Sequence, residues 1–169
     1  MSTTHVRTFE SSLAAIDVSL VRTEASSFAA TVDRLVDDPA IGVPLDGFDG
    51  VSLADTSVET ALTPRRLQDA RTGVTPAAGA IADYGTLVLE SDAAGTEPVS
   101  LYPPTHVAVV RESDVLPDVA SAVDSLGPRF DAGGSAVFAT GVSATGDMGS
   151  LVEGVHGPKD VHVVLLTDR

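Results

Sequence analysis

Residues 161–166, Val-His-Val-Val-Leu-Leu, form a nearly unbroken apolar run, and residues 136–139, Ala-Val-Phe-Ala, form a second. Runs of this kind fit strands covered on both faces rather than strands with one wet side. A sheet covered in this way needs helices on its faces, so the two runs constrain the chain to an α/β fold with a mostly parallel sheet. The 169 residues suffice for one domain, 1–169, with a core that needs neither metal nor disulfide.

Helical and strand patterns alternate along the rest of the chain. Phe9, Leu13 and Ile16 share one face of a first helix, and 18–21 reads as a strand. Thr23 is an N-cap candidate for a second helix carrying Phe28, Val32, Leu35 and Val36, closed by Asp37-Asp38-Pro39. Residues 41–44 read as a short strand and 45–63 as loop, with one further strand at 51–53; 64–70 adds a helical turn or two. Beyond that, 77–82 suits a short helix ended by Gly85, and 86–90 a strand. The stretch 92–97 turns the chain, and 99–101 and 105–110 read as strands split by Pro103-Pro104. Ser113 is placed to cap a helix with Val115, Leu116, Val119, Val123 and Leu126 on one face, stopped by Gly127-Pro128.

Charge narrows the partners. Ten Lys plus Arg stand against 24 Asp plus Glu, a net −14 and a pI of about 4.3, and Lys159 is the single lysine. Phosphate-backbone binding needs clustered cations, so nucleic acid and anionic membrane surfaces are disfavoured. The carboxylates are dispersed, with no acidic run longer than Asp37-Asp38. Dispersed acid with little lysine predicts a salt-rich cytoplasm, where a Debye length of about 3 Å at molar salt removes most of the self-repulsion. The start of the chain has no apolar signal core and no apolar stretch approaches a membrane span, so a cytoplasmic protein is expected. The chain has no Cys, which excludes a thiol nucleophile, a Cys-ligated zinc and an iron-sulfur cluster of its own.

In open α/β sheets, ligands gather at loops beyond the carboxyl ends of strands. The most polar such loop runs Thr140-Gly141-Val142-Ser143-Ala144-Thr145-Gly146-Asp147-Met148-Gly149-Ser150. Its glycines let backbone approach a ligand, and Ser143 and Thr145 bring hydroxyl groups, so a phosphate or carboxylate fits; a P-loop does not, since lysine and spacing are missing. His106 follows Pro103-Pro104-Thr105, and His156 lies in Gly154-Val155-His156-Gly157-Pro158-Lys159. Each imidazole is either a proton carrier or a loop brace bonded to a carbonyl. His162, within the apolar run, reads as structural. Asp83 and Asp147 sit beside glycines at element boundaries, as reacting carboxylates or as caps. No paired-His or His-x-x-Glu spacing suggests a metal.

Three ordered segments then resemble the LUD-domain family. They are Gly73-Val74-Thr75 with Ala80-Ile81-Ala82-Asp83-Tyr84-Gly85-Thr86-Leu87-Val88-Leu89; Ser100-Leu101-Tyr102-Pro103-Pro104-Thr105-His106-Val107-Ala108-Val109-Val110; and Gly154-Val155-His156-Gly157-Pro158-Lys159-Asp160-Val161-His162-Val163-Val164-Leu165. They concentrate within 73–166. Asp83 stands where the family usually has Glu. In the glycine loop Gly141, Ser143, Thr145 and Asp147 match, while Val142 replaces Pro, Ala144 a basic residue and Gly149 an acidic one; either an anion is held by backbone amides and hydroxyls alone, or this copy has diverged in what it binds.

The resemblance implies a Rossmann-like sandwich similar to the sugar-phosphate isomerase and CoA-transferase group. It also implies a place in oxidation of L-lactate to pyruvate beside a separate iron-sulfur subunit, with no cofactor in this chain. The catalytic candidates are Asp83, His106, Asp147 and His156, and the ligand-binding candidates Thr75, Thr86, Gly141, Ser143, Thr145, Gly146 and Gly157. Three readings stay open: a ligand-binding or accessory subunit of a lactate-oxidising complex, a freestanding enzyme on a small anionic metabolite or CoA ester, and an assembly module without a ligand. The chain is short for its fold group, which leaves a homodimer as one way of completing an edge or face.

Overall fold

The computed structural model describes residues 2–146 and 149–168. In chain order the elements are α1 (Ser2–Ala15), β1 (Ser19–Thr23), α2 (Phe28–Asp33), β2 (Ala40–Gly42), α3 (Pro64–Asp69), β3 (Thr72–Pro76), β4 (Gly79–Ile81), β5 (Thr86–Ser91) and α4 (Thr96–Leu101). There follow β6 (Thr105–Arg111), β7 (Val115–Leu116), α5 (Val119–Asp131), β8 (Ser135–Thr140), β9 (Ala144–Thr145), β10 (Val152–Glu153) and β11 (Asp160–Leu166).

Five strands form a parallel sheet in the order β1-β11-β6-β3-β2. Four more form a second sheet, β7-β4-β5-β8, parallel only between β7 and β4. The α/β class with a mostly parallel central sheet is therefore as the 161–166 run required. Alternation along β6 and β11 splits their side chains between two cores. Ala108, Val110, Val161, Val163 and Leu165 face the second sheet and α1, meeting Leu87, Leu89, Val6, Phe9 and Leu13. Val107, Val109, Val164 and Leu166 face the other way, against Phe28 and Val32 of α2 and against Leu45, Phe48, Val51, Leu53 and Val58. Each of the larger side chains so buried contributes roughly 1.5–3 kcal/mol.

Several local expectations change. Residues 51–53 are not a strand; Val51 and Leu53 are instead apolar anchors that seat the 45–63 loop on the sheet. Thr72–Pro76, with its Gly and Pro, gave no strand signal, yet β3 pairs on both sides. The Ala-rich 77–82 stretch holds strand β4, because ladder partners β5 and β7 outweigh the helix propensity of alanine. Residues 99–101 belong to helix α4, whose entry is fixed by the Asp92 carboxylate accepting from Gly95 N and Thr96 N at 2.9 and 3.0 Å. Burial raises the Asp92 carboxyl, but the Thr96 hydroxyl, donating at 2.6 Å, and these backbone N–H groups together hold it below its ordinary value.

Asp118, not Ser113, caps α5, accepting from Ser121 N at 2.8 Å. Val115 and Leu116 precede the helix as β7, and Val119 and Val123 are exposed. Gly127-Pro128 does not stop the helix: Pro128 sits within its last turn, and α5 runs on to Asp131. Thr23 ends β1 rather than capping a helix, and a 3₁₀ turn at Ala25–Ser27 leads into a shorter α2. Strand β8 lies at the edge of the second sheet with Phe138 exposed, so residues 136–139 are not covered on both faces. No helix of the described residues is long and apolar enough to cross a membrane.

Candidate functional site

Strand β6 enters from Pro103-Pro104 at the amino end of the parallel sheet, with its second residue, His106, between Gly73 of β3 and Val161 of β11. The ring lies on the face that looks toward the second sheet and is 2% exposed. Nε2 is 2.9 Å from the hydroxyl of Thr75, two residues further along the neighbouring strand on the same face. Burial, with a smaller contribution from the charge of His162, pushes the His106 pKa down to about 4, so the ring is neutral near pH 7. His162 itself pairs with Ser19 Oγ at 2.5 Å.

Two turns converge above this ring. The loop after β8 carries Ser143, whose N–H donates to the Pro158 carbonyl and whose carbonyl accepts from Gly154 N, both at 2.8 Å. The Pro104 carbonyl in turn accepts from Lys159 N at 2.7 Å. Pro104, Pro158 and Ser143 are thus tied in sequence by backbone bonds, and the rigid prolines set the spacing. Gly157 lets the two turns approach closely, since a Cβ there would lie 3.1 Å from Ser143 Cβ. Gly154 has φ +73 and lies under the Lys159 stem, whose Cγ would be 2.2 Å from an added Cβ.

The result is a cleft of about 210 Å³ between the two sheets. His106 and Val161 close its floor, Leu87, Leu89, Val137 and Ala139 form an apolar wall, and Gly141, Ser143, His156 and Gly157 line the mouth. Ser100 and Leu101 of α4 complete the opposite side. Helix α4 gets this close because Gly73 has no side chain. Outside the mouth, a groove of about 530 Å³ shares Leu101, His156 and Gly157 with the cleft.

Of the candidates, His106, Gly141, Ser143, His156 and Gly157 surround this one cleft, with Thr75 directly behind His106. Thr86 is not at the cleft; its hydroxyl bonds Thr140 Oγ1 across the ladder at 2.6 Å. Thr145 is in β9, paired with Val152, and Gly146 follows it; neither lines the cleft. Asp83 is exposed in the 3₁₀ turn before β5, where its N–H donates to the Pro117 carbonyl at 3.2 Å and its own carbonyl accepts from Ser12 Oγ, away from the cleft. Asp147 lies outside the described residues.

Sequence reading missed Ser100, Thr140 and the apolar wall. Ser100 stood in a quoted segment, but reading 99–101 as a strand hid the helix face that delivers it. The loop after β8 leaves that strand's carboxyl end, yet β8 runs antiparallel to β5, so that loop returns to the amino ends of β6 and β11. At the carboxyl ends there is a second hollow of similar size, about 220 Å³, lined by Arg111, Glu90, Asp92, Asp46 and Phe48. Three of its four charged side chains serve the fold: Arg111 bonds Asp114 and the Gly47 carbonyl and stacks 5.0 Å from Phe48, Asp92 holds α4, and Glu90 pairs with Arg129. Among the described residues no group of three His, Cys, Asp or Glu is placed to hold a metal.

A family model, the LUD domain, matches residues 9–166. A lactate utilization protein C of Deinococcus radiodurans is 34% identical over 110 residues, covering 64% of this chain and 52% of that protein. A lactate utilization protein C of Bacillus subtilis is 32% identical over 139 residues, covering 79% of this chain and 55% of that protein. The chain thus spans about half the length of the curated relatives it matches. The crystal structure of a DUF162 family protein from Deinococcus radiodurans has the same fold, with a TM-score of 0.76 at 21% identity over 98% of each chain.

Proposed function

The chain belongs to the LUD domain family, and on that basis we propose that it serves L-lactate utilization by holding a small 2-hydroxy or 2-oxo carboxylate in the cleft above His106. The observation that carries this reading is the convergence of five candidate residues from three separated segments on one small cleft. Its volume of about 210 Å³ lies below the 300–1,000 Å³ usual for drug-sized ligands, which suits a molecule of few heavy atoms. The wall offers apolar contact to a methyl group, while hydroxyl, imidazole and backbone groups at the mouth and floor meet oxygen atoms. With Ala144 in the glycine loop, recognition rests on neutral hydrogen-bond donors.

Oxidising lactate to pyruvate removes two electrons and two protons. A chain without Cys cannot ligate an iron-sulfur cluster through thiolates, so the electrons leave through a separate iron-sulfur subunit in this reading. The curated relatives' names support the pathway. A second reading, an enzyme on a longer anionic substrate such as a CoA ester, draws on the 530 Å³ groove that continues from the mouth. It is weakened at Asp83, one of its reacting carboxylates, which stands away from the cleft.

The test is an affinity pull-down in molar KCl from lactate-grown cells, paired with growth of a deletion strain. Recovery of an iron-sulfur protein and loss of growth on lactate support the reading; normal growth with no such partner overturns it.

A further inference from the structure

We infer that Thr75 is a positioning residue that locks His106 in the tautomer protonated on Nδ1, so that the floor of the cleft is a neutral N–H donor for a carboxylate or keto oxygen and not a base. The recognition half of this inference rests on the carboxylate site proposed above; the tautomer half does not.

The assignment comes from two buried groups that share one hydrogen bond. Thr75 is fully buried, and the His106 ring is the only partner of its hydroxyl among the described residues. If Nε2–H donated to Thr75 Oγ1, the hydroxyl hydrogen would be left buried with no acceptor, which is the expensive way to arrange a buried pair. If Thr75 donates instead, its hydrogen is used, Nε2 is the acceptor, and the ring proton must sit on Nδ1. Nδ1 has no hydrogen-bond partner among the described residues. Yet no buried side-chain nitrogen or oxygen among them lacks a partner, so Nδ1 is not sealed in protein. His106 lines the cleft under Ser143 and Gly157, so Nδ1 opens there.

The chemical consequence is specific. A neutral imidazole with Nδ1–H toward the ligand donates one hydrogen bond and has no lone pair on that side, so it cannot abstract a proton from a hydroxyl group. A carboxylate or keto oxygen is matched; an ammonium group is refused. His106 is thereby a binding residue, and proton transfer in any oxidation falls to another group.

A long-range nitrogen-15 correlation spectrum of histidine-labelled protein in molar KCl at neutral pH tests the first half. A protonated Nδ1 with bare Nε2 on His106 supports the inference, and a protonated Nε2 overturns it. Thr75→Val should leave the two tautomers mixed and weaken pyruvate binding about tenfold, the effect of one hydrogen bond to a charged acceptor. Thr75→Ser should restore the wild-type spectrum. A pure Nδ1–H signal in folded Thr75→Val would remove Thr75 from the account; if that variant fails to fold, the wild-type and Thr75→Ser spectra decide the matter alone. Titration with pyruvate, and with methylammonium as the control that the site refuses, tests the second half. A shift of the Nδ1 proton with pyruvate alone supports recognition. An unmoved Nδ1 proton overturns recognition while the tautomer assignment stands.

Discussion

Gly73 in β3 lies beneath the carbonyl of Val99 in α4: a Cβ on Gly73 would fall 2.0 Å from that oxygen and 3.1 Å from the Pro103 ring. The obstacle is backbone, so α4 itself must move. Gly73→Ala is expected to cost about 2–3 kcal/mol, as overpacking does elsewhere, and to displace Ser100 and Leu101 from the cleft. Thermal unfolding and pyruvate affinity should fall together; an unchanged melting temperature would refute the close packing.

Gly157→Ala tests the mouth more gently. The added Cβ would lie 3.1 Å from Ser143 Cβ, a contact that a few tenths of an ångström relieve. Stability should change by less than about 1 kcal/mol, while affinity for pyruvate drops by roughly tenfold as Ser143 is pushed from its place. Calorimetric titration at matched salt measures both. Asp118→Ala is the companion control: it removes the cap of α5, lowers the melting temperature and leaves ligand binding intact.

Stability should fall as pH drops between about 6.5 and 4. The His106 pKa is lowered on folding from 6.5 to about 4, so the unfolded chain binds the proton first in that window. The stabilisation is complete above the unfolded pKa and lost as pH falls through the folded one, on the order of 3 kcal/mol in all. The lowered Asp92 and Asp118 carboxyls act in the same direction only at lower pH, below their ordinary 3.8. Denaturant titrations of wild type and His106→Gln at pH values across the window should diverge; parallel curves would contradict a buried neutral ring.

The acidic surface predicts a fold that needs salt. At net −14, with arginines pairing only a few of the carboxylates, among them Glu10, Glu59, Glu90, Glu112 and Asp114, added KCl should raise the melting temperature steadily from dilute buffer to molar salt. A melting temperature independent of KCl would remove the salt-adapted reading of the composition.

Much of this arrangement was legible in the sequence, and the losses have physical causes. The β11 and β6 runs read correctly because strands buried on both faces carry unbroken apolar residues. Strand β3 was illegible because its Gly73 and Thr75 answer to α4 and His106, not to strand propensity. Residues 99–101 misread because six residues hold too little helical period, and the Asp92 contacts that start α4 come from a turn. The paired appearance of His106 and His156 beside prolines signalled rigid turns. That the two turns meet at Ser143 depends on β8 pairing antiparallel with β5, a tertiary fact with no local signature.

The central claim is that ligand binding occurs at the amino ends of β6 and β11, under Ser143. Its most direct test is chemical-shift mapping of the labelled protein in molar KCl during titration with pyruvate and L-lactate. The account predicts perturbations concentrated on His106, Leu101, Ser143, His156 and Gly157. Perturbations centred instead on Arg111, Asp92 and Phe48 at the carboxyl ends, or none at saturating ligand, would contradict it.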